Sequence, residues 1–82
     1  MVTVLLFASI AEAVGRRRLM VAVNDGDTVA AVRDRLAAEY PAMKPFMENL
    51  MYAVNEDYAR PETPVADGAT LALIPPVSGG SQ

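Results

Sequence analysis

Near the end of the chain, an apolar run at residues 69–74 meets Pro75-Pro76, and Val77-Ser78-Gly79-Gly80 follows. Proline has no backbone N–H, so a sheet ladder cannot continue through this pair. Two prolines instead favour a stiff, extended exit from the body of a domain. Gly79 and Gly80 carry no side chains. A tip of this kind can thread a narrow slot and bring a backbone carbonyl up to another protein's reactive groups. The group on offer would be the carboxylate of Gly80, not any side chain.

The rest of the composition supports chemistry at the main chain. Histidine and cysteine are both absent, which removes the usual general base, Ser-His and Cys-His nucleophiles, and the usual zinc ligands. Disulfides are excluded as well, so packing alone must hold the domain together. A net charge of −3 with no long basic stripe disfavours nucleic acid as the main partner. The opening "MVTVLLFASIAEAVG" lacks a basic leader, and its apolar residues alternate as in a strand. It is read as structural, giving a soluble, cytoplasmic protein with no membrane partner.

Other residue groups take plainer readings. Asp25 and Asp27 flank Gly26 like a fragment of a calcium loop, but the later ligands are missing, so they are turn and cap residues. Arg16-Arg17-Arg18 is a solvated turn, with docking to an acidic partner a secondary reading. Met43, Met47 and Met51 with Phe46 read as adaptable core rather than a binding face, and exposure of several beside the last strand would favour an interface. Lys44, the single lysine, is a solubilising surface residue.

The elements that must position the tail follow from patterning. With 82 residues, 52% of them hydrophobic, the chain makes one domain with an economical core. Residues 2–8 are apolar on both faces, the pattern of a central strand covered on each side. Residues 9–15 predict a helical turn capped by Gly15, and residues 17–23 a second strand. Thr28 caps a helix through residue 40, with Val29, Val32, Leu36 and Tyr40 at helical spacing, ended by Pro41. Pro45 limits any helix in residues 42–50 to a short turn. Residues 51–55 predict a third strand, Tyr58-Ala59 a short edge strand, and residues 69–74 the last strand after an Asp-Gly turn.

Strands on both sides of one long helix indicate an α+β fold: a mixed sheet of four to five strands with the helix across one face. The first and last strands are the most uniformly apolar, so they lie parallel and adjacent at the centre. That is the β-grasp arrangement, over residues 1–76, with residues 77–82 as a flexible tail.

The segment "DGATLALIPPVSGG" resembles the C-terminal signature of the small subunit of molybdopterin synthase, a ubiquitin-like sulfur carrier family. "VTVLLFASIAEAVG", "DTVAAVRDRLAAEYP" and "YAVN" extend the resemblance along the chain. Membership implies a non-catalytic carrier subunit of a heteromeric sulfurtransferase that binds no cofactor itself. An adenylating enzyme would use ATP to activate the Gly80 carboxylate, and a sulfur donor protein would convert it to a thiocarboxylate, with Gly79 giving it clearance. The tail would then enter the large synthase subunit, where sulfur builds the dithiolene of molybdopterin. Leu73, Ile74, Pro75, Pro76, Val77 and Ser78 would contact that partner, and the catalytic groups would belong to it.

Ser81-Gln82 departs from the family pattern, in which the second glycine ends the chain. An amide at Gly80 has no carboxylate oxygen to attack a nucleotide phosphate. Either a peptidase trims the chain after Gly80, or the dipeptide is an addition to the natural chain, or the protein binds without transferring sulfur. The tail alone does not separate the molybdopterin branch from carriers serving thiamine or cysteine, or from a non-covalent ubiquitin-like binding module.

Overall fold

The computed structural model describes residues 1–76. The expected tail, residues 77–82, lies outside them. In chain order the elements are β1 (Val2–Leu6), α1 (Ala8–Val14), β2 (Arg18–Val21), α2 (Val29–Glu39), a 3-10 helix (Pro41–Asn49), β3 (Met51–Val54), β4 (Asp57–Ala59) and β5 (Thr70–Ile74). The strands form one sheet in the order β2-β1-β5-β3-β4. β1 and β5 are central and parallel, with Val4 beside Leu71 and Leu6 beside Leu73. The other pairings are antiparallel. This is the β-grasp fold.

Local chemistry explains the helix ends. The N–H of Ala31 donates to Thr28 Oγ1 at 3.2 Å, the N-cap bond the sequence predicts. Gly15 sits at φ 81°, and its N–H closes α1 on the Ala11 carbonyl at 2.8 Å. The β1-to-β2 connection is long because α1 occupies it.

Alternation sorts the sheet into two faces. Val2, Val4, Leu6, Leu19, Val21, Tyr52, Leu71 and Leu73 are buried and pack with Val29, Val32 and Leu36 of α2. Ile10 of α1 and Met43 of the 3-10 helix, both at 0% exposure, complete this core.

Two expectations are corrected. β1 is covered on one face only: Thr3 and Leu5 on its other face are half-buried beside their strand neighbours. On that side Leu5 lies between Arg18 and Ala72 of the flanking strands, with Ala11 and Glu12 of α1 lining a pocket beside it. Pro45 does not restrict its segment to a short turn, because the 3-10 helix runs nine residues through it. The φ that the proline ring imposes is the φ of a 3-10 helix, and the missing donor removes a single bond. The fully buried Met43 anchors the segment.

Candidate functional site: the tail root and the uncovered sheet face

The root of the tail is fixed by the centre of the sheet. β5 is paired on both sides, with β1 up to Leu73 and with β3 up to Ile74. Pro75 beyond it is buried and Pro76 exposed. The end of β1 lies at the same end of the sheet as Ile74, so Phe7 stands at the exit, with its backbone still extended at φ −122°. Met51 pairs with Ile74 from the other side. The chain therefore leaves the domain from its most constrained strand, through residues whose φ the proline rings hold.

The residues expected to contact a partner do not share one environment. Leu73 has 0% exposure and belongs to the core beneath the helices, so its side chain offers no surface; this expectation is corrected. Pro75 is likewise buried. Ile74 points to the opposite face and is half-buried, and Pro76 is exposed. Val77, Ser78, Gly79 and Gly80 lie outside the described residues.

The sequence reading missed the surface beside that root. One row across the sheet runs Arg18, Leu5, Ala72, Ala53, Tyr58, all on the face away from α2. The two alanines in the middle leave a shallow groove of about 470 Å³, walled by Leu5 and Phe7 and closed by Thr70, Asn55 and Glu56. The five exposed large hydrophobics among the described residues are Met1, Phe7, Met20, Met51 and Tyr58. Met20, Met51 and Tyr58 occupy strand positions of the parity that faces this side, and Met1 and Phe7 flank β1 immediately before and after it. The groove and the exposed side chains around it make this face the candidate contact surface. The signal was present in the alternation: Met20 sits between Leu19 and Val21, and Met51 precedes Tyr52. The methionine group accordingly divides, with Met43 in the core, Met47 and Phe46 packed against it, and Met51 44% exposed on the outer face.

The remaining candidates hold their plainer roles. The Asp27 carboxylate accepts from the Asn24 N–H at 2.8 Å and pairs with Arg35 at 3.1 Å, and these bonds hold it below the usual carboxylate range. Asp25, Lys44 and Arg16 to Arg18 are exposed. Among the described residues, no three acidic side chains come close enough to hold a metal ion. No described helix is long and apolar enough to cross a membrane.

A family model described as the ThiS family matches residues 4–80. The chain belongs to the ThiS family. Its relatives include the molybdopterin synthase sulfur carrier subunit of Escherichia coli, 38% identical over 98% of this chain and 100% of that protein. The corresponding subunit of Chlamydomonas reinhardtii is 33% identical over 96% of this chain and 98% of its own length. Among solved structures, small archaeal modifier protein 1 of Haloferax volcanii superposes with a TM-score of 0.87 at 32% identity, covering 96% of this chain and 98% of that one. The resemblance read from the tail, and the fold it implied, are borne out. In this ThiS-family member the matched region ends at Gly80, and Ser81-Gln82 falls beyond it.

Proposed function

We propose that this ThiS-family chain carries sulfur for molybdopterin synthesis in the cytoplasm, as a thiocarboxylate on Gly80. One observation carries the reading: the family match runs to Gly80 and stops there, beyond a strand locked in the centre of the sheet. The naming of its relatives as sulfur carrier subunits of molybdopterin synthase supports the pathway.

In this reading a peptidase first hydrolyses the Gly80–Ser81 amide, releasing the dipeptide and leaving the Gly80 carboxylate. That carboxylate attacks the α-phosphorus of ATP on an adenylating enzyme, and pyrophosphate leaves. Sulfide-level sulfur from a donor protein then attacks the acyl carbon, the bond to AMP breaks, and AMP leaves the Gly80 thiocarboxylate behind. The loaded tail enters the large synthase subunit, which supplies the catalytic side chains. This chain contributes a stiff root, a tip without side chains, and a docking face around Ile74, Pro76 and the outer sheet surface.

A second reading draws on the likeness to a small archaeal modifier protein. There the Gly80 acyl group would pass to a lysine amine of another protein. The intact mass of untagged protein from its native cells separates the two. A species ending at Gly80, heavier by the difference between sulfur and oxygen, is the outcome expected of the carrier. Gly80 recovered only in isopeptide linkage to other proteins supports the modifier. A single species that keeps Ser81-Gln82 in actively synthesising cells overturns both.

A further inference from the structure

β2 is an edge strand, and its hydrogen-bonding pattern leaves a defined part of that edge open. The Leu6 N–H donates to the Arg17 carbonyl at 2.9 Å, while the Thr3 N–H turns the other way to Ala69 at 3.1 Å. Even-numbered residues of β1 therefore bond to β2, and odd-numbered ones to β5. With Val4 opposite Leu19 and Val2 opposite Val21, the backbone groups of Leu19 and Val21 are used on β1. Those of Arg18 and Met20 point away from the sheet. The next outward carbonyl, that of Ala22, accepts from Arg35 Nη1 at 2.9 Å, and Asp27 holds that guanidinium. A side chain thus closes one end of the edge, and the outward backbone groups of Arg18 and Met20 stay unpaired among the described residues.

Charge selects what can pair there. Arg16, Arg17 and Arg18 are all exposed, and none forms an ion pair among the described residues. In a chain of net charge −3 they form a local basic stretch at the start of an edge strand. Parallel self-pairing would draw two arginine runs together. Antiparallel self-pairing sets each run beside Met20 to Ala22 of the other copy, where it meets no acidic partner and the Ala22 carbonyl is already taken by Arg35. The same run attracts an acidic strand.

We propose that the open edge of β2 accepts an extended segment of another protein as an added antiparallel strand. In that orientation the incoming strand ends beside Arg16 to Arg18, so its apolar residues come first and Asp or Glu residues follow. One apolar side chain lies against Met20, which is 55% exposed on the outer face. Main-chain bonds to Arg18 and Met20 supply affinity, and the arginines set direction and sign. The site uses neither Gly80 nor its carboxylate, so it stands whether or not the chain carries sulfur.

The test uses the isotope-labelled full chain and the acetylated peptide Val-Ile-Val-Val-Asp-Glu-Asp-Glu, read by amide exchange and chemical shift. Exchange at Arg18 and Met20 slows on binding, and added salt weakens the complex. Arg16→Glu with Arg17→Glu lowers affinity about tenfold. Met20→Pro removes an outward donor that the native sheet does not use, and abolishes binding. Met20→Glu does the same with the backbone intact, which covers the case in which the proline variant unfolds. The proposal is overturned by unchanged Arg18 and Met20 amides at about 1 mM peptide, or by equal binding of a peptide with lysines in place of its acids. It is also overturned if these amides are protected without peptide in proportion to protein concentration, which would mean self-pairing.

Discussion

Arg33 Nη1 donates to the Tyr52 hydroxyl at 2.9 Å, and its guanidinium carbon lies 6.0 Å from the centre of the Tyr52 ring. One residue is on α2 and the other on β3, so this contact ties the helix to the sheet beside the core. Tyr52 is only 5% exposed. Its oxygen is thus a polar atom at the core margin satisfied by a charged donor. Arg33 also bonds Asp34 at 2.9 Å, and these two contacts, Asp34 first, raise its pKa further above its ordinary value.

Tyr52→Phe removes the acceptor and keeps the ring. The expected loss is about 1 kcal/mol, the typical worth of one such bond, or ~4–8 °C in thermal midpoint for a domain of this size. Arg60→Ala, at an exposed arginine with no ion pair among the described residues, changes stability by less than about 0.5 kcal/mol. Melts followed by circular dichroism compare the two. Equal midpoints for all three proteins would mean that the Arg33–Tyr52 contact adds nothing.

Leu73 and Ile74 are adjacent in sequence and face opposite sides of the sheet. Leu73→Ala opens a cavity under α2 and costs about 2–5 kcal/mol in urea titration. Ile74→Glu costs only about 1 kcal/mol, the span of strand preference, because the residue is half-buried on the uncovered face. For a carrier whose partner sits on that face, Ile74→Glu slows sulfur transfer to the large subunit while the chain stays folded. Normal transfer by this variant would place docking elsewhere.

The order of elements was legible because each carries its own local signal. Thr28 names the start of α2, Gly15 the end of α1, and the paired prolines the end of β5. The central parallel pair was legible because β1 and β5 have the densest apolar runs. The outer face was missed for a different reason. Its members are scattered over the chain at positions 5, 7, 20, 51, 53, 58 and 72, and only register brings them together. Leu73 was misplaced for want of that register, since one residue decides which face a strand side chain takes. The 3-10 helix through Pro45 was lost because a rule about α-helices was applied to a tighter helix.

The β3–β4 hairpin turns on Asn55 at φ 51° and Glu56 at φ 74°, two successive left-handed residues. Asn55 suits the position, and its Oδ1 accepts from the Thr70 N–H at 3.0 Å. Glu56 has no such contact among the described residues and bears the steric cost of its Cβ. Glu56→Gly therefore stabilises the domain by about 0.5–1 kcal/mol, net of the extra freedom glycine gives the unfolded chain. Asn55→Ala destabilises it. A rise in urea midpoint for the first and a fall for the second, at unchanged slope, is the expected pair of results. A fall for Glu56→Gly would mean that its side chain makes a compensating contact.

Asp27 gives the fold a defined response to acid. Its carboxyl is held below its ordinary value of 3.8 first by the Asn24 N–H and then by Arg35. A folded-state pKa below the unfolded one gives stability that is fully present above the ordinary value and lost as pH falls through the folded value. Asp67, paired with the Met1 ammonium, is shifted in the same direction. Stability is therefore level near neutrality and declines below about pH 4. Asp27→Asn is less stable than the native chain at neutral pH, and the gap narrows on acidification. Arg35→Ala separates the two causes. It removes the lesser one and uncovers the Ala22 carbonyl, so it lowers stability yet keeps most of the acid response, because the Asn24 bond remains. Urea midpoints at neutral and acid pH for the three proteins decide this. An acid response lost in Arg35→Ala but kept in Asp27→Asn would show that Arg35 is held by another acid and that the Asn24 turn is incidental.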